Sequence, residues 1–274
     1  MPRFRYSLNT STIQPAGLLE KIRIAHQAGY DAIELWITDV EAYLEQGHPL
    51  ADVRKALDDA GLLRPSMIYL KGWCDDDPRE RAAAVDVCRR RLDIARELGV
   101  QRIVAGPPGG VVPIAIVTER YRALLEISVQ QGVPASIEYL GFVAGINTLE
   151  AAWEICRGAD HPAATLTHDA WHLFRGGSNP ATLKEIPADR ISIVHWDDAP
   201  ASPAREVQTD GDRVMPGDGI LKLQAEAEQL QQMGYRGMLS LELFHPGYWQ
   251  QDPLEVARLG LAKMKQSIGD VEPT

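Results

Sequence analysis

The sequence predicts a (β/α)8 barrel, because eight short apolar runs alternate with longer amphipathic stretches along its 274 residues. The runs are rich in Ile, Val, Leu and aromatic residues, as expected for parallel strands that are buried on both faces. A barrel of this kind takes about 250 residues as one domain, so we predict a single domain over residues 1–274. The predicted strands are 5–9, 32–36, 66–70, 102–105, 135–140, 165–169, 191–197 and 238–244.

The stretches between these runs have the apolar spacing of helices and stop at glycines, where a left-handed C-cap is expected. No G-x-G-x-x-G turn follows the first strand, and no G-x-x-x-x-G-K-[ST] phosphate loop is present. Both absences disfavour an open, doubly wound sheet that binds nucleotides. The clearest predicted helices are 15–28 before Gly29, 78–98 before Gly99 and 219–233 before Gly234.

Charge and cysteine content exclude several classes of protein. Lys plus Arg number 28 and Asp plus Glu number 38, so the formal charge is 28 − 38 = −10. This balance disfavours binding to nucleic acid or to an anionic membrane surface. The longest run without a charged residue, 103–118, contains three prolines and three glycines, so we predict no membrane span. Three cysteines without a C-x-x-C pair, and no signal-peptide core, predict a reduced, cytoplasmic protein.

Functional residues of such a barrel are expected at the C-terminal ends of its strands, because the active site lies at that face. The fourth run ends in a Gly-Pro-Pro-Gly-Gly segment and offers only backbone groups. The other runs all end close to polar side chains. These strand-end residues are Asn9, Glu34, Tyr69 with Lys71, Glu138, Asp169, His195 and Glu242.

Four of these residues end the last four consecutive strands, and adjacent strands of a barrel lie close together. We therefore expect their side chains to converge on one point. Three carboxylates and one imidazole make an oxygen-rich site that suits one divalent metal ion, whether Mn²⁺, Zn²⁺, Mg²⁺ or Co²⁺. The predicted metal ligands are Glu138, Asp169, His195 and Glu242.

Four segments of the second half carry a family resemblance: HDAWHLFRGG, VHWDDAP, DGDRVMPGDGIL and LSLELFHPGYW. They resemble the xylose-isomerase-like TIM-barrel sugar isomerases and epimerases and, within that family, the inosose isomerases of myo-inositol catabolism. The similarity extends over nearly the whole chain. It implies a metal-dependent enzyme of carbohydrate metabolism that acts on a small polyol or keto-sugar. Barrels of this family often associate, which leaves a homo-oligomer open for this chain.

The resemblance also implies roles for individual residues. It assigns the four strand-end residues to one divalent cation, and it gives Glu138 and Glu242 the additional task of moving protons beside the substrate. It implies that His172 contacts a substrate oxygen and that Arg213 holds a hydroxyl or keto oxygen. We add Lys71, as a substrate contact rather than a Schiff base, and Trp171 to the predicted substrate-binding residues.

The chemistry of a polyol ketone gives these assignments a physical basis. Shifting a carbonyl along a polyol requires removal of a proton from the carbon next to the C=O. A metal that chelates the carbonyl and a neighbouring hydroxyl stabilises the enediolate, and two carboxylates can remove and return the proton. The predicted function is therefore isomerisation of an inosose-like substrate (2-keto-myo-inositol). The aromatic residues expected to exclude water are Trp36, Trp73, Trp171, Trp196, Tyr248 and Trp249.

Two further interpretations concern the surroundings of the predicted centre. Asp197 and Asp198 follow His195 in the sequence, and they either hold its other ring nitrogen or are simply solvated. His168 precedes Asp169 and should point to the opposite face of its strand, so we interpret it as a structural residue.

Alternative functions on the same barrel remain open. A ketose 3-epimerase is one, although the glutamate that such enzymes usually carry six residues after the first metal ligand is Ala144 here. An inosose or dehydroshikimate dehydratase is another, since it begins with the same proton abstraction. A DNA-repair nuclease like endonuclease IV would need more histidines at strand ends. A non-catalytic binding barrel would not need the complete ligand set.

Overall fold

The computed structural model describes residues 4–269, and within them eight parallel strands close into one barrel in sequence order. The predicted (β/α)8 TIM barrel is therefore confirmed. Each strand pairs with its sequence neighbour, and β8 closes the sheet on β1. The strands are β1 Arg5–Asn9, β2 Ala32–Trp36, β3 Met67–Leu70, β4 Ile103–Ala105, β5 Ala135–Glu138, β6 Leu166–Asp169, β7 Ile191–His195 and β8 Met238–Leu241.

Helices follow the strands and cover the outside of the barrel, with α1 packed against α10 and α3. Among the described residues, none of the helices combines the length and the apolar character needed to cross a membrane. The helices are α1 Leu18–Ala28, α2 Ile37–Glu45, α3 Leu50–Ala60, α4 Pro78–Glu97, α5 Ile114–Gln130, α6 Leu149–Gly158, α7 Ala170–Gly176, α8 Leu223–Gln232, α9 Pro246–Trp249 and α10 Pro253–Ser267.

The predicted C-terminal ends of these helices agree with this structure, whereas α1 and α8 begin three and four residues later than predicted, at Leu18 and Leu223. Gly29, Gly99 and Gly234 all have positive φ angles, between 74° and 88°, which glycine adopts without a steric penalty. At the start of α4, the Asp77 carboxylate accepts hydrogen bonds from the backbone N–H groups of Arg79 and Glu80. Local sequence chemistry thus sets where these helices end and where α4 begins.

Strand alternation decides which side chains face the barrel interior. His168 of β6 points outward, where its Nε2 lies 2.9 Å from Glu226 of α8, so its predicted structural role is confirmed. Trp196 follows β7 and is also outward, because its Nε1–H donates to Ser267 of α10. The expectation that Trp196 shields the active site is therefore wrong. Asp169, which follows His168, and His195, which precedes Trp196, point inward instead. The two residues pair with each other in the register of β6 and β7.

Candidate metal centre

The four predicted metal ligands come together at the C-terminal end of the barrel. Glu138, Asp169 and His195 are the last residues of β5, β6 and β7, and Glu242 follows β8 directly. Each offers one ligand atom, and these four atoms all lie within 4.8 Å of one another. All four side chains are buried. Strand topology alone therefore brings residues more than 100 positions apart in the sequence into one group.

The ring of His195 lies at the middle of this group. Its Nδ1 is 3.0 Å from Glu138 Oε1, 3.2 Å from Glu242 Oε2 and 3.6 Å from Asp169 Oδ2. Within the described residues, however, neither ring nitrogen makes a well-directed hydrogen bond, and neither does Glu138 Oε1. Buried polar atoms that lie close together without a hydrogen bond between them, as His195 Nδ1 and Glu138 Oε1 do, are suited to bind a cation placed between them.

The electrostatics of the group point the same way. Burial raises the pKa of the Glu138 carboxyl to about 7, an effect that His195 only partly offsets. Burial would also raise the pKa of Asp169, but the Arg213 guanidinium holds it well below its usual range. For His195, Glu242 and other carboxylates raise the pKa against the effect of burial. Carboxylates outnumber cations here, and a divalent cation would compensate this buried negative charge.

Arg213 reaches into the same group from the loop between β7 and α8. Its Nη1 donates to Asp169 Oδ2 at 2.9 Å and to Glu242 Oε2 at 3.0 Å, so it contacts two of the candidate ligands. Its guanidinium carbon also lies 4.7 Å from the centre of the Trp171 ring. Arg213 is almost fully buried. This places a fixed positive charge directly beside the candidate ligands.

The two aspartates after His195 bind other groups and do not orient its ring. Asp197 Oδ2 accepts from Arg213 Nη1 at 2.7 Å, and its Oδ1 accepts from the backbone N–H of Trp171. Asp198 accepts from the backbone N–H groups of residues 199, 217, 219 and 221 and so fixes the turn that precedes α8. The interpretation that either one holds the second ring nitrogen of His195, or is solvated, is therefore wrong.

His172 lies on the first turn of α7, next to the group. Its Nδ1 lies 3.1 Å from the backbone N–H of Gly141, and its Nε2 lies 3.0 Å from Arg213 Nη2. Burial lowers the pKa of the imidazole to about 3 despite the opposing charge of Asp169, so the ring is neutral at pH 7. A neutral imidazole has one acceptor nitrogen. His172 can therefore accept from one of these two donors at a time.

Gly141 sets the distance between the loop after β5 and α7. A Cβ atom at this position would lie 2.6 Å from Gly176 N, 2.8 Å from Arg175 Cβ and 2.9 Å from His172 O. These contacts involve backbone or the first side-chain atom, so they cannot move aside easily. The absence of a side chain at Gly141 is what lets its N–H reach His172.

We expect Gly141→Ala to lower the free energy of unfolding by about 1–3 kcal/mol, the usual range for overpacking, and to displace His172. Denaturant unfolding measures the first effect, and histidine side-chain NMR measures the second. The matched control is Gly109→Ala, because a Cβ atom there would meet no atom of residues 4–269 within 4 Å. Equal stability of the two variants would contradict the expectation.

The other two predicted substrate-binding residues lie in different environments. Trp171 is fully buried, and its Nε1–H donates to Gln208. Lys71 follows β3, and its side chain is exposed. An additional aromatic residue, Phe142, lies 5.4 Å from the His172 ring and is 42% exposed. Lys71 therefore stays a prediction, whereas Phe142 is an apolar surface beside the site to which the sequence pattern gave no role.

The residue that contacts the second ring nitrogen of His195 is Glu34 of β2. Its Oε2 lies 3.1 Å from His195 Nε2, and both residues are fully buried. The sequence pattern marked Glu34 as a strand-end polar residue, but it gave no link to His195. That contact spans the interior of the barrel between strands that do not pair.

The closed barrel and its strand-end donors define a TIM-barrel protein with a candidate divalent-metal centre. Residues 22–267 match the model of the xylose isomerase-like TIM barrel family, and the chain belongs to this family. The resemblance that the sequence motifs carried is therefore confirmed.

Relatives with named activities include isomerases and dehydratases. Inosose isomerase of Bacillus velezensis is 27% identical over 255 residues, which cover 88% of each chain. The 3-dehydroshikimate dehydratase of Pseudomonas putida is 26% identical over 87% of this chain, but the match covers only 38% of that longer enzyme. Among solved structures, the IOLI protein with a bound zinc atom superimposes with a TM-score of 0.90 at 23% identity, over 99% of this chain and all of that one.

Proposed function

We propose that this protein is a divalent-metal-dependent isomerase of a small polyol ketone that resembles inosose. The observation that carries this proposal is the buried group of Glu138, Asp169, His195 and Glu242 at the strand ends. Inosose isomerases that are 25–27% identical over most of their length support the substrate class. The small, uncharged substrate also suits a site whose own charges are mostly negative.

In this proposal the four strand-end residues hold the cation, which is Zn²⁺, Mn²⁺, Mg²⁺ or Co²⁺. When bound, it would supply Lewis-acid stabilisation of the negative charge on the carbonyl oxygen as the neighbouring C–H loses its proton. The similar IOLI protein binds a zinc atom, which makes Zn²⁺ the first cation to test.

Proton transfer falls to the two glutamates, and their surroundings differ. Glu242 Oε1 accepts a hydrogen bond from Asn9, and Oε2 accepts one from Arg213. Glu138 Oε1 faces His195 and makes no hydrogen bond among the described residues, which leaves Oε2 to take a proton from the substrate. Glu138 is therefore the stronger candidate for the base. Glu242, on the other side of the group in the barrel, is the candidate for returning the proton.

The substrate contacts complete the proposal. Arg213 would donate to a hydroxyl or keto oxygen from a guanidinium that Asp197 and Asp210 hold in place. His172 would contact a second oxygen, and Trp171 would exclude water from the carbon that loses its proton. Lys71 would reach the substrate from the loop after β3.

Dehydration is the second candidate function, because two 3-dehydroshikimate dehydratases are 26% and 28% identical over 87% of this chain. A dehydratase begins with the same proton abstraction and then releases a hydroxyl. A ketose 3-epimerase is a third variant, and Ala144, where such enzymes usually carry glutamate, argues against it.

Hydrogen exchange in D₂O tests these alternatives. Metal-loaded protein is incubated with inosose, ketohexoses and dehydroshikimate, and the carbon-bound hydrogens are followed by NMR. Deuterium next to the carbonyl, together with a new ketone isomer of unchanged composition, is the result expected for the isomerase. An alkene or enone with loss of water would identify the dehydratase. Absence of both exchange and a new product with every substrate, with the metal content verified, would refute the proposed substrate class.

A further inference from the structure

Glu34 lies on the edge of the His195 ring that faces away from the candidate ligands. Its Oε2 is 3.1 Å from His195 Nε2, whereas His195 Nδ1 is 3.0 Å from Glu138 and 3.2 Å from Glu242. The two nitrogens of one ring therefore face different carboxylates. Only the Nδ1 edge belongs to the group that can hold a metal, because Glu34 is not a member of that group.

Three side chains donate hydrogen bonds to the Glu34 carboxylate, one from β1, one from β8 and one from the residue before β3. Asn9 Nδ2 and Ser240 Oγ each donate to Oε2 at 2.9 Å, and Ser66 Oγ donates to Oε1. Asn9 pairs with Glu34 in the register of β1 and β2. A carboxylate held by several donors keeps its position and acts as an acceptor towards any further N–H group.

The amide of Asn9 has only one orientation that satisfies its neighbours. Its Oδ1 accepts from Trp36 Nε1 at 2.8 Å and from the backbone N–H of Ser11 at 3.0 Å. Its Nδ2 must then donate to Glu34 and, at 2.9 Å, to Glu242 Oε1. The Asn9 amide therefore connects Glu34, at the Nε2 edge of His195, with Glu242, a candidate ligand at the Nδ1 edge.

We propose that Glu34 is the positioning residue of the metal centre. Its 3.1 Å contact with His195 Nε2, which is not aligned as a hydrogen bond in this structure, becomes one when a cation is bound: Glu34 accepts a hydrogen bond from the Nε2–H group, and the Nδ1 lone pair is left for the cation. A metal-binding imidazole is neutral and has one free lone pair, and the partner of its other nitrogen decides which one that is. Neither Asp197 nor Asp198 can serve, because both are bonded elsewhere. This inference rests on the proposed function, since it requires a cation at the strand-end residues.

The first test identifies the nitrogen that binds the metal. Protein labelled with ¹⁵N-histidine is loaded with ¹¹³Cd²⁺, and cadmium–nitrogen couplings are recorded by NMR. We expect one histidine to couple through Nδ1 and to carry its proton on Nε2. Coupling through Nε2 of His195 would overturn the role of Glu34 and leave the metal centre standing. Absence of coupling to any histidine would instead overturn the metal centre itself.

The second test measures metal affinity by competition with a chromophoric chelator. Glu34→Gln keeps the size of the side chain but removes its charge, and we expect the Kd for Zn²⁺ to rise about 10–100-fold. The matched control is Glu226→Gln, which alters the contact of another buried histidine, His168, on the outside of the barrel. Its Kd should stay at the wild-type value.

An unchanged Kd in Glu34→Gln, or an equal rise in both variants, would overturn the proposal. The first result would mean that Glu34 has no influence on the centre, and the second would mean that the effect is a general loss of stability. If Glu34→Gln fails to fold, the cadmium measurement on the wild-type protein still decides which nitrogen of His195 binds the metal.

Discussion

Glu138→Gln is expected to lower kcat by about 10²–10⁴-fold, the usual contribution of a general base. The amide keeps the size of the side chain and an oxygen that can face His195, but it cannot accept a proton from carbon. The buried position of Glu138 leaves little room for water to replace it, since its side chain is 8% exposed. Turnover is measured with the ketone that the D₂O experiment identifies, and bound metal is measured by elemental analysis of the same sample.

Two comparisons make this result interpretable. Glu226→Gln has the same chemical change on the outer face of the barrel and should keep the wild-type kcat. Full turnover of Glu138→Gln with metal bound would show that Glu138 is not the proton carrier. A fall in kcat that disappears when more metal is added would assign Glu138 to metal binding alone.

Removal of the metal is expected to cause the second large effect, on thermal stability. A cation at 1,000 times its Kd stabilises the folded state by about 4 kcal/mol. With about 2–4 °C per kcal/mol for a domain of 150–250 residues, the melting temperature should rise by about 8–16 °C on loading. The physical reason is the excess of buried carboxylates around His195, which the cation compensates. Calorimetry of chelator-treated protein, with and without added Zn²⁺, measures the shift.

The control for this experiment is Asp169→Asn, which removes one charge from the candidate ligands and should abolish most of the shift. The same four cations can be compared in turn, and the largest shift ranks them by affinity. A rise of equal size in Asp169→Asn would mean that the metal binds elsewhere on the protein. An unchanged melting temperature in the wild-type protein would contradict the metal centre.

The strands were predictable because each is a short apolar run that parallel pairing buries on both faces. The predicted runs 135–140, 191–197 and 238–244 extend past the observed ends of β5, β7 and β8. Several of their extra apolar residues are buried in the loops that follow, as Tyr139 and Leu243 are. An apolar run indicates that its residues are buried, but not that they pair with a neighbouring strand. It therefore cannot distinguish a strand from a buried loop that follows it.

The four candidate ligands were predictable for a topological reason. A side chain at the end of a parallel strand lies at the same face of the barrel as every other strand end. Glu138 and Glu242 therefore come together regardless of the sequence that separates them. The contact between Glu34 and His195 had no such signal, because it runs between β2 and β7 across the barrel interior. The outward position of Trp196 does have a signal in the sequence: its neighbour His195 points inward, and strand side chains alternate.

A carboxyl group that is shielded from water keeps an abstracted hydrogen longer than an exposed one, and Glu138 is almost fully shielded. In the two-glutamate proposal, Glu138 therefore keeps the hydrogen that it removes, while Glu242 delivers one that it has taken from solvent. Isomer formed in D₂O by this route would carry deuterium, and a molecule that keeps the original hydrogen would report its return by Glu138 itself. The ratio of the two products would record how often each glutamate completes the proton transfer.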